Sequence, residues 1–231
     1  GYFIYYAKCV AIFLLSSKFI EFIWVTMKQL ILASQSPRRK DLLAQLGYQF
    51  TSQSPDINES VRSDESAENY VLRLAQEKAQ AIYSNLSQLQ QAQAVVLGSD
   101  TCVVIDGKVL GKPDNEAECI ATLMRLENKQ HQVMTAIAVI NQDPKNNIEI
   151  VSKLVVTQVQ FKPLILDEIK QYWQTGEPCD KAGSYAIQGI GGQFVTTING
   201  SYSAVVGLPL FETAQLLTQI GLPTSINQGL I

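Results

Sequence analysis

The chain has a single histidine, His131, and only four cysteines, Cys9, Cys102, Cys119 and Cys179, with no C-x-x-C pair among them. That poverty argues against a zinc site and a secreted disulfide framework, and it fits a reducing cytoplasm. Charge is scarce too: charged residues are 17% of the chain, and 18 Lys+Arg against 21 Asp+Glu leave a formal charge of −3. With no positive excess to neutralise a phosphate backbone, stable nucleic-acid binding is not expected. Apolar residues, by contrast, are 46% of the 231 positions. A chain of that length and composition buries a sizeable core without staples, and it is neither disordered nor fibrous.

Residues 1–26, GYFIYYAKCVAIFLLSSKFIEFIWVT, stand apart as nearly all apolar or aromatic. Lys8, Lys18 and Glu21 interrupt the run, so it lacks the ~18 uninterrupted apolar residues of a bilayer span. No A-x-A-like cleavage site marks it as a signal peptide. Met27 opens MKQLILAS, the start of an ordinary buried strand. The expectation is a non-native or upstream apolar extension over 1–26, disordered or helical, and a single domain over 27–231 with no membrane segment. A membrane-associating helix is the competing account of the extension.

From Met27 short apolar runs alternate with helical periodicity, the pattern of an α/β protein. Leu30–Ala33 reads as a buried strand, Ser36 as an N-cap with Pro37 at N1, and Gly47 as the helix end. Tyr48–Ser52 is extended, 53–66 a polar loop, and Val71, Leu74, Ala75 and Ile82 mark an amphipathic helix of about 20 residues. Gln88–Gln93 reads as a solvated connection into a strand at Ala94–Leu97. Asp106-Gly107 centres a type I′ hairpin within Val103–Leu110. Asp114 is a candidate cap for a helix presenting Ile120, Leu123, Met124 and Leu126 on one face. His131–Ile140 and Ile148–Phe161 pair antiparallel, which makes the sheet mixed. Helices near Leu166–Gln174 and Phe211–Ile220 follow. The expected architecture is a mixed twisted sheet with flanking helices, in two lobes around a central cleft.

Candidate chemistry begins at Ser34-Gln-Ser-Pro-Arg-Arg-Lys40. Three successive cations occupy the first helical turn, where the macrodipole already disfavours positive charge, so an anion is the natural compensator. Arg38 and Arg39 are the candidate phosphate ligands, with Ser34 and Ser36 in support; solvated surface cations are the plain alternative. Asp100 follows Val95-Val-Leu-Gly-Ser99, where a buried strand emerges, and Thr101 beside it offers a hydroxyl. Glu59 lies in the acidic loop. Carboxylates at Glu59 and Asp100 suit a divalent cation, and one of them could activate water. Lys78 and Lys112 are candidates for charge neutralisation, though a lone lysine is more often on the surface for solubility. In the glycine-rich stretch 176–192, Gln188 carries an amide able to read a base edge, and Asp180 with Lys181 pair or line the cleft. His131 and Cys179 lack any arrangement that marks a nucleophile site.

Taken together, Ser34-Gln-Ser-Pro-Arg-Arg, Asp56-Ile-Asn-Glu, Gly98-Ser-Asp-Thr, Gly111-Lys-Pro, His131-Gln-Val-Met-Thr, Glu177-Pro-Cys-Asp-Lys-Ala-Gly and Tyr185-Ala-Ile-Gln-Gly resemble, in order, the Maf family of nucleoside triphosphate pyrophosphatases. The resemblance runs from Met27 to about Gly221. It implies an ITPase-like fold and hydrolysis of a nucleoside triphosphate to monophosphate plus diphosphate with Mg²⁺ or Mn²⁺. It also implies Asp100 as proton acceptor, Arg38, Thr101 and Gln188 as selecting positions, Glu59 as a metal or water partner, and Lys78 and Lys112 on the phosphates. Ser-Pro-Arg-Arg with Asp-Lys-Ala-Gly is similar to the branch acting on dTTP and UTP, with modified pyrimidine nucleotides as further substrates. The 7-methyl-GTP branch, bulky where Arg38 stands, and a non-catalytic septum-formation regulator are the alternatives. Asn58 departs from an aspartate common in the family, and a homodimer is a further implication.

Overall fold

The computed structural model describes residues 28–143, 145–224 and 226; the expectations for 1–26 and for Met27 as a starting point lie outside them. The chain runs β1 (Gln29–Leu32), α1 (Pro37–Gln45), β2 (Phe50–Ser52), α2 (Ala67–Ser84), α3 (Gln88–Gln93), β3 (Ala94–Ile105), β4 (Lys108–Leu110), α4 (Glu116–Leu126), β5 (Gln130–Gln142), β6 (Ile148–Phe161), α5 (Leu166–Gln174), β7 (Val195–Asn199), α6 (Tyr202–Val206) and α7 (Leu210–Gln219). Short 3₁₀ turns at Glu177–Asp180, Ala182–Ser184 and Ile190–Phe194 connect α5 to β7.

The strands form one seven-stranded sheet in the order β2-β1-β3-β5-β6-β7, with β4 also on β3. Pairing of β1 with β2 and β3 is parallel and the rest is antiparallel, so the expected mixed α/β sheet with flanking helices is the one formed. Strand alternation sorts the core by face. Ile31, Val96, Met134, Ala136, Ala138 and Ile140 pack under α2 on one face. On the other face two separate cores form. Leu32, Val95, Leu97 and Ile137 meet the helices α1 and α7, while Val103, Val133 and Phe161 meet α4 and α5.

Several expectations need correction. The strand at 94–97 does not stop there: β3 runs 12 residues to Ile105 because β5 pairs with it from Val95 to Val104. The polar Gly98–Thr101 stretch imitates a strand end, yet its side chains are satisfied in place, so nothing forces the chain to turn. The cap of α4 is Asn115, whose Oδ1 accepts from the Glu118 amide at 3.0 Å, and not Asp114. Met124 is exposed, and Cys119 takes the buried position on that helix instead. Gln88–Gln93 is a short helix because Ser87 and Gln90 form a reciprocal capping box. Ser36 occupies the cap position of α1 without a side-chain bond; its own amide donates to Ser34 Oγ at 3.2 Å. The Asp106-Gly107 turn does form, with φ of 51° and 71° as a type I′ geometry requires.

Candidate active site

The site follows from the pairing of β3. One edge of this strand is bound by β1 only as far as Leu97 and by β4 only from Val103. Between them, residues 98–102 have β5 on one side and an open edge on the other. The two cores on the α1 and α4 sides flank that gap, and a cleft of about 530 Å³ opens there. Ser34, Arg38, Arg39, Glu59, Lys78, Asp100, Thr101, Lys112 and Gln188, every candidate read from the sequence, line it.

Asp100 therefore sits mid-strand, on the α2 face. Gly98 puts it within reach of a cation: a Cβ there would lie 2.2 Å from the Ala75 carbonyl oxygen, so only glycine lets α2 come this close. Lys78, one turn from Ala75 and itself buried, places its Nζ 2.7 Å from Asp100 Oδ1 and 2.8 Å from Glu59 Oε1. The loop carboxylate of Glu59 is half exposed. Burial would raise its pKa, but the Lys78 hydrogen bond and charge, with Lys112 and Arg39, hold it below the usual glutamate range. Burial first, and then the charges of Asp100 and Glu59, push the Tyr70 hydroxyl up to about 12.

Thr101, next in sequence, faces the opposite side of the strand. There Arg39 donates through Nε to the Gly207 carbonyl at 2.9 Å, and through its two terminal nitrogens to Ser34 Oγ at 3.5 Å and Thr101 Oγ1 at 3.4 Å. Ser99 Oγ donates to the same Gly207 carbonyl at 3.0 Å. Burial lowers the Arg39 pKa from its ordinary value, with Asp100 acting in the other direction. Arg39 thus ties α1 to the turn after α6. Among the described residues Arg38 makes no such side-chain bond, and its guanidinium is left to the cleft. Lys40 is satisfied by Gln35 Oε1 at 2.7 Å. Of the three cations in that turn, one braces the scaffold, one is locally bonded and one lines the cleft.

The glycine-rich wall is held by a residue that sequence reasoning passed over. Glu177 accepts from Tyr172 Oη at 2.7 Å, the Gly191 amide at 2.9 Å and the Ile190 amide at 2.8 Å. Tyr172 Oη in turn accepts from the Ala186 amide at 3.1 Å, so both ends of the loop bearing Gln188 are fastened. A Cβ on Gly189 would lie 2.1 Å from Glu177 Oε2, so a larger residue there would push the clamping carboxylate aside. Glu177 was read only as the first residue of a motif, since a clamp made from side chain to distant amides leaves no local signal of its role. Gly207, whose carbonyl receives both Arg39 and Ser99, was likewise illegible. Asp180 and Lys181 are ion-paired and line the cleft, with the Arg38 charge also acting on Asp180. His131 is buried, with Nε2 2.9 Å from Tyr185 Oη and the ring edge-on to Phe161, and belongs to the core.

The fold and this cleft define an α/β protein in which guanidinium, ammonium and carboxylate groups line one cavity. A family model for Maf-like proteins matches residues 29–220, and the chain belongs to the Maf family. A protein of Colwellia psychrerythraea named dTTP/UTP pyrophosphatase is 57% identical over 202 residues, covering 87% of this chain and 93% of that one. One of the same name from Vibrio vulnificus is 56% identical over 191 residues, covering 83% and 98%. Among solved structures, a HAM1 protein from Coxiella burnetii is 16% identical, with a TM-score of 0.43 over 84% of this chain and 100% of that one. Among the described residues no helix is long and apolar enough to cross a membrane.

Proposed function

We propose that this protein hydrolyses dTTP and UTP to the monophosphate and diphosphate, and acts on modified pyrimidine nucleotides as well. The observation that carries the reading is the meeting, in one cleft, of the Asp100 carboxylate with Arg38, Lys78 and Lys112. A polyphosphate needs fixed positive charge where negative charge develops, and a water needs a base. Arg38 and Lys112 hold phosphate oxygens, and Lys78 shares its charge between Asp100 and the incoming anion. Asp100 Oδ1 is engaged by Lys78, leaving the second carboxylate oxygen to take the proton from a water. That water's oxygen bonds to the α-phosphorus, the α–β anhydride bond breaks, and diphosphate leaves. Gln188, on its fastened loop, supplies a donor and an acceptor to the base.

The cleft also fits a divalent cation brought in with the nucleotide. Glu59 and Asp100 converge on one ammonium, which shows two hard oxygen donors aimed at a single positive centre. Among the described residues no group of three or more His, Cys, Asp or Glu is gathered to hold a metal. One or two carboxylates plus substrate phosphates is the usual coordination of Mg²⁺ or Mn²⁺. Glu59 and Asp100 would be its protein ligands, and its chemistry is charge neutralisation on the phosphate oxygens. A cytoplasmic setting accords with Cys102, Cys119 and Cys179 being free thiols.

The test is diphosphate release from a panel of nucleoside triphosphates with Mg²⁺ or Mn²⁺. Turnover highest with dTTP and UTP is expected. Turnover confined to 7-methyl-GTP, or none with any member of the panel, overturns the reading.

A further inference from the structure

Thr135 sits directly opposite Thr101 in the β3–β5 ladder, fully buried and on the same face. Its Oγ1 is 2.7 Å from the Ala204 carbonyl oxygen and 3.0 Å from Thr101 Oγ1. A carbonyl only accepts and a hydroxyl has a single proton. The Thr135 proton is therefore spent on Ala204, and Thr101 must donate its own proton to Thr135. Arg39, a pure donor, then reaches Thr101 Oγ1 from the other side at 3.4 Å. The proton order of the whole chain is fixed: Arg39 to Thr101 to Thr135 to Ala204. Toward the cleft, which it lines, Thr101 has only a lone pair left to offer.

An oxygen restricted to accepting repels a phosphate oxygen, so this spot is made for a part of the ligand that carries N–H or O–H. Its position agrees, since Thr101 faces away from the Lys78–Asp100–Glu59 cluster across the strand edge. We infer that Thr135 is a positioning residue that locks Thr101 as an acceptor, and thereby selects a base bearing an imide N–H, as uracil and thymine do, against cytosine, whose ring nitrogen at that place only accepts. The inference deepens the proposed function and rests on it. A mismatch of this kind leaves two acceptors face to face, which discriminates far better than a missing methyl group.

The experiment compares kcat/KM for dTTP and dCTP in the wild type and in Thr135→Val, with Thr135→Ser as the conservative variant. Binding of non-hydrolysable α,β-methylene dUTP and dCTP is measured alongside by calorimetry. Valine frees the Thr101 proton to point either way, so the dTTP:dCTP ratio is expected to fall at least ~10-fold, chiefly through KM, with dCTP improving; serine restores the ratio. Should the valine variant fail to fold, Thr101→Val substitutes for it, and is expected to weaken dTTP and dUTP analogue binding while leaving dCTP unchanged. A parallel loss for both bases would place Thr101 against the sugar and overturn the inference. So would an unchanged ratio in a folded variant. Wild-type protein that turns over neither dTTP nor UTP sinks the functional reading itself, whereas normal wild-type turnover with an unmoved ratio sinks only the role of Thr135.

Discussion

The ammonium of Lys78 lies 2.7 Å from Asp100 Oδ1, with both side chains more than nine-tenths buried. A helix residue and a mid-strand residue meet this closely because Gly98, two positions before Asp100, removes the side chain that would hold α2 away. In the proposed reaction this pair is the water-activating end of the cleft, and Glu59 reaches the same ammonium from the loop.

Replacing Asp100 with Asn keeps the shape and most of the hydrogen bonding while removing the base. Diphosphate release from dTTP is expected to drop by ~10²-fold or more, and circular dichroism to be unchanged. Lys78→Met should behave differently, since it strands the buried Asp100 carboxylate. A loss of about 3 kcal/mol in urea unfolding is expected in addition to lost turnover. Full activity in Asp100→Asn would remove it from the chemistry; equal stability of the two variants would show that the pair is not a structural tie.

Arg38 and Arg39 are neighbours with separate work. Arg39 is partly buried and bonded to Gly207, Ser34 and Thr101, so Arg39→Ala is expected to destabilise the fold by about 2 kcal/mol as well as impair activity. Arg38, without such bonds among the described residues, is expected to leave stability within ~0.5 kcal/mol when changed to Ala or Trp. Arg38→Trp should shift preference away from dTTP and UTP. Melting curves and a substrate panel on both variants decide it, and an unchanged profile in Arg38→Trp would reject a selecting role.

The division between the two arginines shows where sequence reasoning reaches its end. Periodicity exposed the longer helices and the β5–β6 pair, because amphipathic spacing and β-branched runs are local, but it passed over the short helices Gln88–Gln93 and Tyr202–Val206. The candidate residues were legible one by one, since strand-to-helix cations and strand-borne acids are unusual in any context. Which arginine braces the scaffold and which is left lining the cleft depends on the Gly207 carbonyl, 168 positions away in the chain. Asp100 was misplaced to a strand end for the same reason: Gly-Ser-Asp-Thr looks like a turn until Lys78, Gly207 and Thr135 are there to satisfy it. Glu177 appeared only as the first residue of a motif, with no sign of its role, because its partners are a tyrosine hydroxyl and two backbone amides brought together by the fold.

His131 provides a pH handle on the core. Burial against Phe161 and Tyr185 lowers its pKa to about 4, below the ordinary 6.5. The folded state thus keeps it neutral over a range in which the unfolded chain binds a proton. The sign follows: this stability is fully present above the unfolded value of 6.5 and is lost progressively as pH falls toward 4. His131→Gln, which keeps a hydrogen-bonding partner for Tyr185 without a titration, is expected to flatten that slope by up to ~3 kcal/mol. Urea unfolding of both proteins at several pH values across this window measures it. Identical slopes would mean that His131 is accessible to protons in the folded state.

Gly98 offers the sharpest test of how the site is assembled. An alanine Cβ there would lie 2.2 Å from the Ala75 carbonyl oxygen, 2.9 Å from the Ala79 nitrogen and 3.1 Å from the Ala79 Cβ. Backbone atoms of a helix cannot swing aside as a flexible side chain can, so α2 must move bodily off β3. Gly98→Ala is therefore expected to cost about 3 kcal/mol and to separate Lys78 from Asp100, lowering turnover more than the lost stability alone explains. Gly107→Ala is the matched control. That turn glycine has φ +71° and nothing within 4 Å of its added Cβ, so its cost is backbone strain of about 1 kcal/mol with turnover intact. Equal behaviour of the two variants in melting and in diphosphate release would show that close approach of α2 is not what brings the cation to the carboxylate.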